Sequence, residues 1–298
     1  MTDSDDNLKS ERSGAVVGID GSLSSEAALA WAAERRRNFG AIRPVYAWDY
    51  SLSAWAPTPF GPGAVPPLEE MERAAEDAAA KWVAESGLSD NEDAVVRRGD
   101  PGVVLVDVAS DADLLVVGTR GRGPFRANVL GSVGRHCADH SAVPVVIVPA
   151  GEMPSAQTSE VVVGIDGSEH ALDALRWAVS NFGETATIVA ITSWQTPIEG
   201  PIPYGVGRFD LRAFNSAAKT TVNEAADTVC QEFGLEDSAI ARKVGEGDRR
   251  WILAHQATTA DLLVLGQRGR TGLPHFVLGS TTTAMIHRPQ CPTAVIPS

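Results

Sequence analysis

Two stretches of this 298-residue chain carry glycine, arginine and serine at a spacing suited to holding phosphate. The first is Gly118-Thr119-Arg120-Gly121-Arg122-Gly123, followed seven residues on by Gly131-Ser132. The second is Gly266-Gln267-Arg268-Gly269-Arg270-Thr271-Gly272, followed six residues on by Gly279-Ser280. Both read Gly-x2-Gly-x9-Gly-Ser. Glycine lets the backbone turn and approach an anion closely. Successive N–H groups and a helix start at Gly131 or Gly279 attract negative charge. Ser132 and Ser280 stand where a hydroxyl could both cap that helix and donate to a phosphate oxygen. Local charge agrees: Arg120, Arg122 and Arg126 in one segment and Arg268 and Arg270 in the other have no acidic neighbour within it. A strand-to-helix connection with turn glycines and a serine cap is the plain alternative for either loop alone. Two loops of one spacing weigh against it, although copies of one ancestor are correlated.

The loops recur because the chain does. Val17-Gly18-Ile19-Asp20-Gly21-Ser22 returns 146 residues later as Val163-Gly164-Ile165-Asp166-Gly167-Ser168. Ala112-Asp113-Leu114-Leu115-Val116 returns 148 residues later as Ala260-Asp261-Leu262-Leu263-Val264. Such a period is a duplicated domain rather than a solenoid repeat. The expected organisation is a mobile tail over 1–13, a first domain over 14–150, a linker over 151–159 and a second domain over 160–298. Pro/Gly-rich segments at 56–67 and 196–207 read as long surface loops.

Within each half, strands alternate with helices. Strands are predicted at 15–19, 42–48, 94–97, 114–117 and 145–148, and helices from Ser24 or Ser25 to Asn38 and over 68–87, 102–110 and 131–140. The second half repeats that order, with strands at 161–165, 187–193, 239–243, 262–265 and 293–296 and helices over 172–181, 211–233, 250–258 and 279–287. This alternation implies parallel sheets with right-handed crossovers. The fold class is therefore α/β: two tandem Rossmann-like, doubly wound domains, each with a five-stranded parallel sheet. Such sheets take ligands outside the carboxyl ends of their strands, where the strand order reverses. Both glycine loops follow the fourth strand of their half, at that end.

Composition bounds the partners. A formal net charge of −13 argues against a nucleic-acid coat and against docking on anionic membrane. Hydrophobic residues at 44% supply cores, but no apolar run nears the roughly 20 residues of a membrane helix. The N-terminus lacks a signal-peptide apolar region. Cys137, Cys230 and Cys291 are odd in number and form no C-x-x-C, so a reducing cytoplasmic setting is expected.

The opening Val-Gly-Ile-Asp-Gly-Ser, the Ala-Asp-Leu-Leu-Val strand and the Gly-x2-Gly-x9-Gly-Ser loop, each present twice, resemble the universal stress protein family, in particular its tandem-domain, ATP-binding branch of actinobacteria. The resemblance implies that ATP binds each half, with the loop around ribose and triphosphate. It implicates Gly118, Thr119, Arg120, Gly121, Arg122, Gly123, Gly131, Ser132 and Val133 in the first half. In the second it implicates Gly266, Gln267, Arg268, Gly269, Arg270, Thr271, Gly272, Gly279, Ser280 and Thr281. The end of the first strand adds Gly18 with Asp20, and Gly164 with Asp166. The end of the second strand adds Ala47 and Ser193 beside the adenine. Mg²⁺ would ride on the phosphates, since it needs few protein carboxylates. The implied role is a nucleotide-responsive regulator of stress tolerance or growth, including hypoxia or dormancy, acting through an unknown protein partner.

Two other readings stay open. One is an enzyme of the adenine-nucleotide α/β group, a slow ATPase or pyrophosphatase; against it, there is no Walker A sequence, no His-x-Gly-His and no Ser-Gly-Gly-x-Asp-Ser. The other is a ligand-free interaction module with vestigial loops. His136 and His140 have zinc-like spacing, but the second copy holds Ala284 and Arg288 there, so they read as ordinary surface or core histidines. Trp31, Trp48, Trp177 and Trp194 read as packing residues, and Arg35, Arg36 and Arg37 as a solvated helix end. The apolar fifth strands, 144–149 and 292–297, would lie at sheet edges and invite pairing of the two halves into a pseudo-dimer, or a homodimer of the full chain.

Overall fold

The structure, a computed structural model, describes residues 13–49, 67–86, 88, 93–119, 129–151, 158–196, 211–269 and 278–297. The expected tail, linker and two Pro/Gly-rich segments fall wholly or largely outside these residues. The chain divides into two compact units, 1–151 and 152–298.

The first unit runs β1 (Ala15–Gly18), α1 (Leu23–Glu34), α2 (Arg36–Phe39), β2 (Ile42–Trp48), α3 (Leu68–Glu85), β3 (Val95–Arg98), α4 (Pro101–Val108), β4 (Leu114–Gly118), α5 (Ser132–His140) and β5 (Val145–Val148). Its strands lie in the order β3-β2-β1-β4-β5, all parallel. The order follows from composition. Leu114 to Val117 are buried along their length, as a central parallel strand covered on both faces must be. β3, half-buried and ending in the exposed Arg97 and Arg98, is an edge strand. α1 packs on β1 and β4. α4 and α5 pack on each other, α4 against β2 and β1, α5 against β4 and β5.

The second unit repeats this: β6 (Glu160–Gly164), α6 (Glu169–Phe182), β7 (Thr187–Trp194), α7 (Leu211–Phe233), β8 (Ile240–Glu246), α8 (Arg249–Gln256), β9 (Leu262–Gly266), α9 (Ser280–His287) and β10 (Thr293–Ile296). Its parallel order is β8-β7-β6-β9-β10. Asp113 and Asp261 fix the start of the fourth strand in each unit to the start of the first. Asp113 Oδ2 accepts from Gly14 N at 3.1 Å, and Asp261 Oδ2 accepts from Ser159 N and Glu160 N at 2.7 and 3.0 Å. Among the described residues, no helix is long and apolar enough to cross a membrane.

Three expectations need correction. Ser22, not Ser24 or Ser25, caps α1: its hydroxyl accepts from Ser25 N, while Ser24 and Ser25 are buried in the first turn. The helix breaks at Arg35 instead of running to Asn38, and α2 closes at Gly40, whose φ of 84° suits glycine. Arg35 is not solvated. It is 3% exposed, with its guanidinium 4.7 Å from the Trp31 ring centre and Nη1 donating to Trp31 O and pairing with Glu34. A planar, weakly hydrated cation can be buried on an aromatic face in this way.

Candidate functional site

In each unit the first and fourth strands end side by side, and their following segments diverge to opposite faces of the sheet. A cavity opens at that point: about 490 Å³ in the first unit and about 630 Å³ in the second. The first is lined by Gly18 ending β1 and Asp20 beyond it, Ala47 of β2, Gly118 ending β4 and Thr119 beyond it, and Gly131, Ser132 and Val133 at the start of α5. The second is lined by Gly164 and Asp166, Ser193, Gly266, Arg268 and Gly269, and by Gly279, Ser280 and Thr281 at the start of α9. Gln267 does not face its cavity: it is buried, its N–H donating to Ile296 O and its carbonyl accepting from Gly279 N. Arg120, Gly121, Arg122 and Gly123, with Arg270, Thr271 and Gly272, lie outside the described residues.

The ends of each loop are pinned together. Gly131 N donates to Thr119 O at 2.6 Å, and Gly279 N to Gln267 O at 2.9 Å. Whatever path a loop takes, it must leave and re-enter at the cavity mouth. Gly118 and Gly266 have a packing reason to be glycine. A Cβ would stand 2.6 Å from backbone atoms of Ser24 in the first unit and 2.6 Å from His170 O in the second. Among the described residues Gly279 has no such reason: its φ is −59° and a Cβ would meet none of them nearer than 3.5 Å.

The serines do not cap. Gly131 and Gly279 occupy the cap positions of α5 and α9 and offer no side chain to cap them, and Ser132 and Ser280 are the first helical residues. A helix start leaves its first amides without intrahelical acceptors and carries partial positive charge. A capping hydroxyl would compete for those amides; its absence leaves them for an anion. Thr282 steadies the second start, its Oγ1 donating to Gly266 O at 2.8 Å.

Among the described lining residues each cavity holds one aspartate, with an ordered half and an open half. Asp20 Oδ1 accepts from Ser22 Oγ at 2.6 Å and Ser22 N at 3.0 Å; Asp166 Oδ1 does the same with Ser168. These bonds close the Asp-Gly-Ser turns, whose glycines sit at φ 70° and 79°. Among the described residues, Oδ2 of neither accepts a hydrogen bond. A Cβ on Gly269 would stand 2.6 Å from Asp166 Oδ2, so glycine there lets the loop approach the carboxylate.

Among the residues of the second cavity that sequence reasoning missed are Trp194, Phe214 and Arg249. Trp194, read as packing, is half-buried and stacks on Phe214 with centroids 6.3 Å apart. Aligning the halves at Gly99-Asp100-Pro101 and Gly247-Asp248-Arg249 could have exposed the third. The rings of His136 and His140 stack at 4.2 Å, and no group of three metal-capable side chains occurs among the described residues. The cysteines are buried, and burial pushes the Cys137 and Cys291 thiols up to about 12.

Comparison with known proteins agrees with this architecture. The sequence profile of the universal stress protein family matches residues 14–149 and again 158–297. Universal stress protein Rv2623 of Mycobacterium tuberculosis is 29% identical over 291 residues, covering 95% of each chain. Universal stress protein Rv2005c of the same organism is 27% identical over 293 residues, covering 95% of this chain and 96% of that one. Among solved structures, a universal stress protein from Archaeoglobus fulgidus has the same fold, with TM-score 0.64 at 18% identity over 96% of this chain and 99% of that one. A functionally unknown Pseudomonas aeruginosa protein, PA1789, follows with TM-score 0.56 at 14% identity, over 96% of this chain and 93% of that one. With two copies of the profile covering nearly its whole length, the chain belongs to the universal stress protein family.

Proposed function

We propose that both cavities bind an adenine nucleotide, ATP, and that its occupancy makes the protein a nucleotide-responsive regulator of stress tolerance or growth. One observation carries this reading. In each unit the glycines that end the first and fourth strands converge with a helix start capped only by glycine on one cavity at the switch point of the sheet. That combination favours a phosphate chain, and the cavity volumes suit a small-molecule ligand. The loop residues Arg120 to Gly123 and Arg270 to Gly272 belong to the proposed site on the strength of the family motif.

Among the described lining residues each cavity offers a single carboxylate, Asp20 or Asp166, with one oxygen free. This fits a Mg²⁺ ion held chiefly by phosphate oxygens and water, which would supply charge neutralisation. Little or no hydrolysis is expected. No histidine or lysine is among the described residues lining either cavity, and Asp20 and Asp166 are engaged by the turn serines. A cytoplasmic location, a protein partner and pairing through the fifth strands, within the chain or in a homodimer, belong to the same proposal. The strand pairing rests on the apolar character of residues 144–149 and 292–297.

The test is thermal unfolding of the nucleotide-free full chain with and without ATP and Mg²⁺. A ligand at 100 times its Kd adds about 2.7 kcal/mol, roughly 5–10 °C for a unit of this size. A shift of that order with ATP supports the reading. No shift with ATP, ADP or AMP overturns it and leaves the interaction module.

A further inference from the structure

We infer that the two cavities are not equivalent: the second is the tighter polyphosphate site, and Arg249 is the cation that makes it so. The inference rests on the nucleotide reading above and adds to it which half binds more strongly and through which residue.

The same backbone device delivers one residue to each cavity wall. Gly99 and Gly247 have φ of 149° and 129°. Asp100 and Asp248 then cap α4 and α8, accepting from Val103 N at 3.1 Å and from Arg250 N and Trp251 N at 2.8 and 3.2 Å. The next residue, first in its helix, lines the cavity. It is Pro101 in the first unit and Arg249 in the second. Proline is well placed at a first helical position. Arginine is not, because its charge opposes the helix dipole. Among the described residues, no carboxylate pairs with Arg249. The fold pairs no described carboxylate with this exposed cation, which leaves it available to an anion in the cavity.

Placement supports the assignment. α8 packs on α9 through Leu253, Ala257, Ala284 and Met285, so Arg249 stands on the same sheet face as the helix start bearing Ser280 and Thr281. Across the sheet the parallel Trp194 and Phe214 rings give the cavity an aromatic wall on which a purine can lie. The corresponding Trp48 is 8% exposed and does not line the first cavity. Among the described lining residues, the first cavity's only charge is Asp20.

Calorimetric titration of the nucleotide-free full chain with Mg²⁺ and ATP tests this, with Arg249→Ala, Arg249→Lys and Pro101→Arg beside the wild type. Two classes of site are expected. Arg249→Ala should weaken the tighter class about tenfold and leave the weaker one unchanged, because one hydrogen-bonded charge is lost. Lys should recover most of that loss, and Pro101→Arg should tighten the weaker class. The loss should be larger for ATP than for AMP and should shrink at high salt. Tryptophan fluorescence should change with the tighter class and should not do so in Trp194→Phe. A single class that responds to Arg249→Ala also supports the inference. Two equal classes in the wild type, or an Arg249→Ala variant that alters neither class or both alike, overturns it. No binding of ATP by the wild type overturns the nucleotide reading itself, before any variant is measured.

Discussion

Replacing Gly279 and Gly266 by alanine, one at a time, separates glycine needed by the fold from glycine needed by a ligand. At Gly279 the new methyl would have 3.5 Å to its nearest neighbours among the described residues, Arg268 Cα and Gly269 N, in a backbone conformation with φ −59°. Restricting the unfolded chain stabilises by about 0.4–1 kcal/mol, and alanine is a poorer cap residue than glycine by a comparable amount. The net change should stay within about 1 kcal/mol, or roughly 4 °C. At Gly266 the methyl would stand 2.6 Å from His170 O, a backbone atom of α6 that has little room to retreat. Overpacking of this kind costs about 1–3 kcal/mol. Binding should show the reverse emphasis. A phosphate oxygen bonded to the amides at the start of α9 sits about 2.9 Å from nitrogen, and a Cβ on Gly279 takes space beside it. Gly279→Ala should therefore unfold like the wild type yet bind ATP at least about tenfold more weakly, about 1.4 kcal/mol. Scanning calorimetry and equilibrium dialysis on the same preparation read both numbers. Unchanged affinity in Gly279→Ala, or destabilisation equal to that of Gly266→Ala, would refute the reasoning.

Ser168→Ala removes both the cap of α6 and the hydroxyl that holds Asp166, so it should cost about 1 kcal/mol in urea denaturation and also weaken nucleotide binding. Cys137 and Cys291, their thiols raised by burial to about 12, should resist iodoacetamide at pH 8 in the folded protein and react after denaturation, as mass spectrometry would read. Because the folded values exceed the ordinary thiol value of 9.0, stability should decline as pH rises from about 9 towards 12. Arg176 links α6 to α7 through a two-pronged bond to Glu232, and also pairs with Glu169 and Asp173. The Arg176 hydrogen bond holds the Glu232 carboxyl below its usual range, so this contribution is present at neutral pH and fades as pH falls through that lowered value. Arg176→Ala should lower the melting temperature at pH 7 and much less under acid conditions; an equal drop at both would count against the ion cluster.

Legibility in the sequence followed burial. β2, β5, α7 and β10 have the bounds that pattern alone predicts, because turn residues bracket the strands and long amphipathic periodicity marks the helix. β8 extends to Glu246, beyond the expected Lys243, because an edge strand can be polar while its backbone still pairs with β7 as far as Trp194. The glycine spacing pointed to cavities that the fold places at the switch point. Three serines follow Asp20 within five residues, and the choice of Ser22 as cap depends on that aspartate's carboxylate, a detail periodicity does not encode. Arg35 was misread because a run of three arginines looks solvated, whereas the spacing of four lays this one along the buried Trp31. Arg249 and Trp194 were missed because their first-half counterparts, Pro101 and Trp48, make neither a charge nor an aromatic wall.

The central claim is that both cavities hold nucleotide, and the most direct measurement is the nucleotide content of freshly purified protein. The chain would be denatured with no nucleotide added, the polypeptide removed, and the released small molecules identified and counted by chromatography. The account predicts adenine nucleotide, mainly ATP, at one to two per chain, with Arg249→Ala retaining less than Pro101→Arg. Protein that releases none, and whose melting temperature does not move when ATP and Mg²⁺ are added, would contradict it.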